Sequence, residues 1–250
     1  MDSGFYCAFA GFSTRLDALD VLANNLANVN TPGYKAQVSF YRALPAWLQE
    51  KVGSPLNQVV NRFGTLAGAQ INFSQGNLEA TGNPTDVALD GDGFFTIQTK
   101  AGLRFTRSGA FRLNAQRQLV TQQGDLVLGE QKPGEVPKPI QLPTGELTIS
   151  ADGTVSVDGA LLAKLRITEF AKDAALAPEG STYFRAPDGS GKIATDAVMR
   201  QASLEASNSN PTKTMVSLIE LQRTSQMMEK ALSIFHNEFN RVASQDVPHI

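Results

Sequence analysis

Near the N-terminus the apolar residues Phe5, Phe9, Phe12, Leu16, Leu19, Leu22, Leu26 and Val29 recur at spacings of three and four. That periodicity puts them on one narrow stripe of a helix. Asn30-Thr31-Pro32-Gly33 ends the stripe, because proline cannot extend the hydrogen-bond ladder and glycine accepts a turn. The C-terminal pattern is more regular: Met215, Leu218, Leu221, Ser225, Met228, Leu232, Phe235, Phe239 and Val242 alternate by three and four, with Ser225 the one polar member. Asn210 is a good N-cap and Pro211 suits the first helical position, so the spacing predicts a helix from 210 or 211 to about 244. At ~1.5 Å per residue it is about 50 Å long, longer than its N-terminal partner. Two apolar positions per heptad make a coiled-coil seam, and the part that outruns the first helix needs helices from elsewhere.

Between the helices the texture changes to short β-type runs punctuated by Asp-Gly and Gly-Asp. Phe94-Phe95-Thr96-Ile97, Leu119-Val120-Thr121, Leu126-Val127-Leu128 and Leu165-Arg166-Ile167 are examples. Leu147-Thr148-Ile149 and Val155-Ser156-Val157 alternate apolar with polar around Ala151-Asp152-Gly153, which predicts a half-buried hairpin. The expected class is α+β: paired N- and C-terminal coiled-coil helices with an inserted antiparallel β domain. Residues 1–35 and 201–250 would form a discontinuous helical core and 76–200 the β domain. Residues 36–75, with Pro45, Gly53, Pro55, Gly64 and Gly68 among scattered aromatics, would be an irregular connector.

Composition narrows the function. The chain has 250 residues, 42% hydrophobic and 18% charged, an ordinary globular balance. Its formal charge of -2 offers no basic field for nucleic acid. No run is long enough to span a membrane, and Met1-Asp2-Ser3-Gly4 lacks the positive n-region of a cleaved secretory peptide. Cys7 is the one cysteine, so neither an internal disulfide nor a multi-cysteine zinc site is available.

Candidate chemistry is thin. Asp90-Gly91-Asp92-Gly93 starts like a calcium loop but runs into the strand residues Phe94-Phe95, and turn chemistry explains it. Ser108 lacks the nucleophile elbow, and His236 and His249 lie far from it in sequence, so a turn is again the better reading. Arg107 beside it would form a salt bridge or a subunit contact. No metal, cofactor or catalytic group is expected. Asn24, Asn25 and Asn28, in or at the end of a helix, and Asn208 and Asn210, at the start of another, fit poorly as helix formers. They would cap backbone groups or bond across subunits.

Residues 22–35, Leu-Ala-Asn-Asn-Leu-Ala-Asn-Val-Asn-Thr-Pro-Gly-Tyr-Lys, closely resemble the N-terminal signature of bacterial flagellar rod and hook proteins. Residues 82–95, Phe105-Thr106-Arg107-Ser108-Gly109-Ala110-Phe111, Leu204-Glu205-Ala206-Ser207-Asn208 and Leu221-Gln222-Arg223 are similar to later blocks of that family, in order. The resemblance implies a non-enzymatic axial subunit of the flagellar basal body. Its helices would pack in coiled-coil layers with copies of itself and other rod proteins. It also implies export through the flagellar type III apparatus without cleavage, a place in the periplasmic rod, and surrounding ring proteins as further neighbours. The opening residues Met1 to Tyr6 are most similar to the proximal-rod member, with the distal-rod member next.

The carried-over interface positions are Phe12, Leu16, Leu19, Leu22, Asn24, Asn25, Leu26, Asn28, Asn208, Asn210, Leu218, Leu221, Met228, Leu232, Phe235 and Phe239. The chain departs from the family where glycine commonly stands, at Ala202 and in Ala115-Gln116-Arg117, and at Thr224-Ser225, near which an aromatic is common. A ligand-binding β module on a helical stalk, for sugar or peptidoglycan, is the second reading; its one tryptophan, Trp47, lies in the connector.

Overall fold

The computed structural model describes residues 2–42, 65–131, 137–171, 174–187, 189–194 and 197–245; for 2–10, 40–42, 65–68, 231, 235–236 and 238–245 it describes the backbone alone. The chain divides into two bodies: residues 1–27, 36–72 and 209–250 make one, residues 28–35 and 73–208 the other.

The first body is built on α1 (Asp2–Ala27), the antiparallel pair β1 (Gln37–Arg42) and β2 (Thr65–Ile71), and α2 (Pro211–Gln245). The stretch expected to be irregular thus carries a strand at each of its ends, while Trp47 and its neighbours lie outside the described residues. α1 lies against α2, with the Arg15 Nη1 donating to Met228 Sδ at 3.1 Å. Among the described side chains of α1, those least reached by water are Gly11, Ala18 and Asn25, seven apart, and two of the three are among the smallest side chains available. Leu16, expected on the buried stripe, is 44% exposed.

α2 starts as the sequence predicts: Asn210 Oδ1 accepts the Lys213 amide at 3.0 Å, and Pro211, which has no amide to satisfy, follows it. Its inward positions are Thr214, Leu218, Leu221, Ser225, Met228 and Leu232, and Met215 points out at 50% exposure. No helix among the described residues is long and apolar enough to cross a membrane.

The second body is the β domain. It opens with β3 (Leu78–Ala80), β4 (Val87–Asp90), β5 (Phe94–Thr99) and β6 (Gly102–Thr106). The short strands β7 (Arg112–Leu113), β8 (Leu119–Val120) and β9 (Leu126–Val127) follow, then the meander β10 (Leu147–Ile149), β11 (Thr154–Val157) and β12 (Ala160–Lys164). β13 (Ile167–Phe170), β14 (Ala177–Glu179), β15 (Tyr183–Arg185) and β16 (Gly191–Ile193) return to the main sheet. β17 (Val198–Gln201) and β18 (Ser203–Glu205) pair with β4 and β3.

β5 is the centre of the nine-stranded sheet. Along one edge it pairs with β6, and along the other first with β13 and then with β9. The predicted hairpin forms with Leu147 opposite Val157 and Ile149 opposite Val155, turning at Gly153 with φ +85°. One core joins these strands, and Leu89, Phe95, Ile97, Leu119 and Val155 in it are all 0% exposed. The Phe95 and Phe111 rings meet edge-on at 5.0 Å.

Two of the family departures fall on special backbone. Ala202 and Arg117 have φ of +54° and +57°, the left-handed region that glycine enters without cost. At the third, the Ser225 hydroxyl is buried and has no hydrogen-bond partner among the described residues.

Candidate functional site

Residues 28–35 leave α1 by a tight turn, with the Thr31 amide donating to Asn28 O and the Tyr34 amide to Thr31 O. Gly33 then passes so close to the next segment that a Cβ there would sit 2.2 Å from the Ser108 nitrogen; its φ is +71°, and its amide donates to Glu205 O at 2.7 Å. Glycine is therefore required twice over, for conformation and for space.

This close approach brings Lys35 onto Glu205, 170 residues away. Lys35 Nζ donates to Glu205 Oε1 at 2.6 Å and to Ser74 O at 2.9 Å. The Gly76 amide adds a bond to the same carboxylate oxygen at 2.8 Å, and Arg107 Nη1 lies 3.5 Å from the other. The side chains of Lys35, Arg107 and Glu205 are 1%, 4% and 0% exposed.

Two cations therefore share one anion in a dry interior. Burial holds the Lys35 ammonium below its ordinary range, against the pull of Glu205, and lowers Arg107 for the same reason. Arg107 has a further partner in the Phe94 ring, 5.2 Å from its guanidinium carbon, while its Nε has none among the described residues. Removing one member of such a cluster costs about 3–5 kcal/mol, because a buried charge is left uncompensated. The arrangement holds no nucleophile or exposed base. What it does is fasten chain segments around residues 35, 75, 107 and 205.

The asparagines do related work. Asn25 Nδ2 donates to Gln37 O at 2.7 Å and its Oδ1 accepts the Gln37 amide at 2.8 Å, so a side chain pairs with β1 as a strand would. Asn28 Oδ1 accepts the Thr31 hydroxyl, Asn208 Nδ2 donates to Ser74 O, and Asn210 caps α2. Asn24 is exposed. Phe12, Leu19, Leu22, Leu26, Leu218, Leu221, Met228 and Leu232 are half-buried, and the side chains of Phe235 and Phe239 lie outside the described residues. Lys35 and Glu205 lie in the runs that carry the family resemblance, yet nothing in the sequence singles them out. The one available signal is their place among otherwise uncharged neighbours in segments that close on each other.

The fold and this fastening define a structural α+β protein, with a self-contained β body and a helix toward each end of the chain. Three family models match in order: "Flagella basal body rod protein" over residues 5–35, "Flagellar hook protein FlgE/F/G D1 domain" over 88–157, and "Flagellar basal body rod FlgEFG protein C-terminal" over 200–239. The chain is 33% identical to the flagellar basal-body rod protein FlgF of Caulobacter vibrioides, covering 93% of each. It is 31% identical to FlgG of Borreliella burgdorferi, over 95% of this chain and 96% of that one, and 31% identical to FlgF of Escherichia coli, over 93% and 94%. The chain belongs to the flagellar basal-body rod protein family, and its role is that of a structural rod subunit.

Proposed function

We propose that the chain polymerises through α1 and α2, coiled-coil fashion, with copies of itself and other rod proteins, into the shaft that carries torque across the periplasm. Many subunits in register resist bending and twisting together, so the work is mechanical and requires no catalysis or cofactor. Export through the flagellar type III apparatus and neighbouring ring proteins belong to the same reading.

The observation that carries it is the outer face of α2. Met215, Val216, Ile219, Met227 and Ile234 are 50%, 51%, 49%, 64% and 62% exposed on one helix, whose other face already holds Leu218, Leu221, Met228 and Leu232. Apolar surface of that extent gains roughly 25 cal/mol for each Å² a neighbouring helix covers. The packing of α1 against α2 supports a helix-mediated form of the contact.

Ile219→Asp tests it. The side chain is half exposed, so the variant should keep its circular dichroism and its melting temperature. It should be missing from purified basal bodies, and the cells should not swim. Normal motility with normal incorporation would overturn the reading.

A further inference from the structure

The main sheet borders one cavity. Ala177 on β14 and Gly191 on β16, the two ends of the branch β14-β15-β6-β5-β13-β16, both line a space of about 770 Å³ whose floor is the face of β5, β6 and β13. That volume is in the range of binding clefts.

Among the described residues its charges are unbalanced. Arg104 is held by Glu179, its Nε donating to Oε2 at 2.7 Å. Arg166 and Arg185 also line the cavity, and neither guanidinium has a hydrogen-bond or ion-pair partner among the described residues; the Arg166 Nε is buried in that state. The Nε itself is enclosed, but the rest of each guanidinium is a planar set of charged donors that a carboxylate from outside would satisfy. No acidic residue is among the described residues that line the space.

The backbone says what carries the carboxylate. β16 pairs with β13 along one edge alone, so among the described residues its other edge is open, and all three of its residues are exposed. β14, the other end of the sheet, contains Pro178, which has no amide to offer. An extended segment can therefore add to β16, with its alternate side chains turned into the cavity. Phe105 and Phe170, 4.7 Å apart and edge to face on the cavity wall, give apolar contact beside the arginines.

We propose that this groove binds an extended acidic segment of another protein, which pairs its backbone with β16 and places carboxylates on Arg166 and Arg185. The free strand edge favours a peptide over an acidic glycan, which has no amide ladder to match. The proposal stands apart from helix-mediated polymerisation, since the groove lies wholly within the β body.

The test uses the full chain and a fluorescent peptide of about eight residues alternating glutamate with valine, against a lysine–valine control, by anisotropy at about 0.15 M salt. The acidic peptide should bind and the basic one should not. Arg185→Glu, at an exposed position, should weaken binding about tenfold or more with an unchanged melting temperature, and Arg166→Gln should do the same. Hydrogen exchange at residues 191–193 should slow when the peptide is bound. Equal affinity for both peptides, indifference to both substitutions, or binding of a muramyl peptide in place of the acidic one would each overturn the proposal.

Discussion

The β body and the helical body solve the burial problem differently. In the β body, side chains from strands far apart in sequence reach zero exposure, as Val87, Phe95, Ile97 and Val155 do, and even its charged cluster is dry. Among the described side chains of the helical body the large apolar ones stop half-way: Leu218, Leu221, Met228 and Leu232 are intermediate, and Ile219 and Met227 face out. A sheet that curls on itself closes its own core. A long helix facing one shorter helix cannot, because each covers a single stripe of the other. The difference teaches where each body's stability comes from: the β body has its own, while the helices have apolar area still to bury.

The sharpest way to break this contrast is Glu205→Gln. It leaves Lys35 and Arg107 buried without their anion and should destabilise the β body by about 3–5 kcal/mol, read from urea unfolding of the full chain. A change below about 1 kcal/mol would mean the cluster is already solvated. Ala202→Gly acts in the other direction. It removes left-handed strain worth about 1–2 kcal/mol and adds unfolded-chain entropy worth about 0.4–1, so a net gain of about 0.5–1 kcal/mol is expected. An unchanged or lower denaturation midpoint would show that the strain is not there.

The pH dependence is the finest probe. Burial holds Lys35 below its ordinary 10.5 and raises Tyr34 and Tyr183 above 10.0. From the depressed Lys35 value up to 10.5, the unfolded chain holds a proton that the folded chain has released, so stability rises with pH. Above 10.0 the tyrosines of the unfolded chain ionise first, and stability falls. Midpoints across the alkaline range should pass through a maximum near about 10, and Lys35→Met should remove the rising limb. A monotonic fall in the unaltered protein would contradict the burial of Lys35.

What the sequence showed depended on range. The hairpin at residues 147–157 was legible to the register, since alternation and an Asp-Gly turn are local signals. The start of α2 was legible for the same reason, from Asn210 and Pro211. The buried line of α1 was not, because a stripe of large residues draws the eye while the buried positions among the described side chains are Gly11, Ala18 and Asn25. Asn25 drew notice as a misfit, and its pairing with Gln37 gives the cause. The pairing of Lys35 with Glu205 was invisible: nothing local to either end marks a partner 170 residues off.

That separation also sets a clock. A chain synthesised from its N-terminus presents Lys35 and Arg107 before Glu205, and the anion that both cations require is missing until the later segment is free. Contacts this distant in sequence are slow to form in any case. The β body therefore cannot close this cluster until residue 205 is available, and a chain cut off before it holds two buried-site cations with no anion to share.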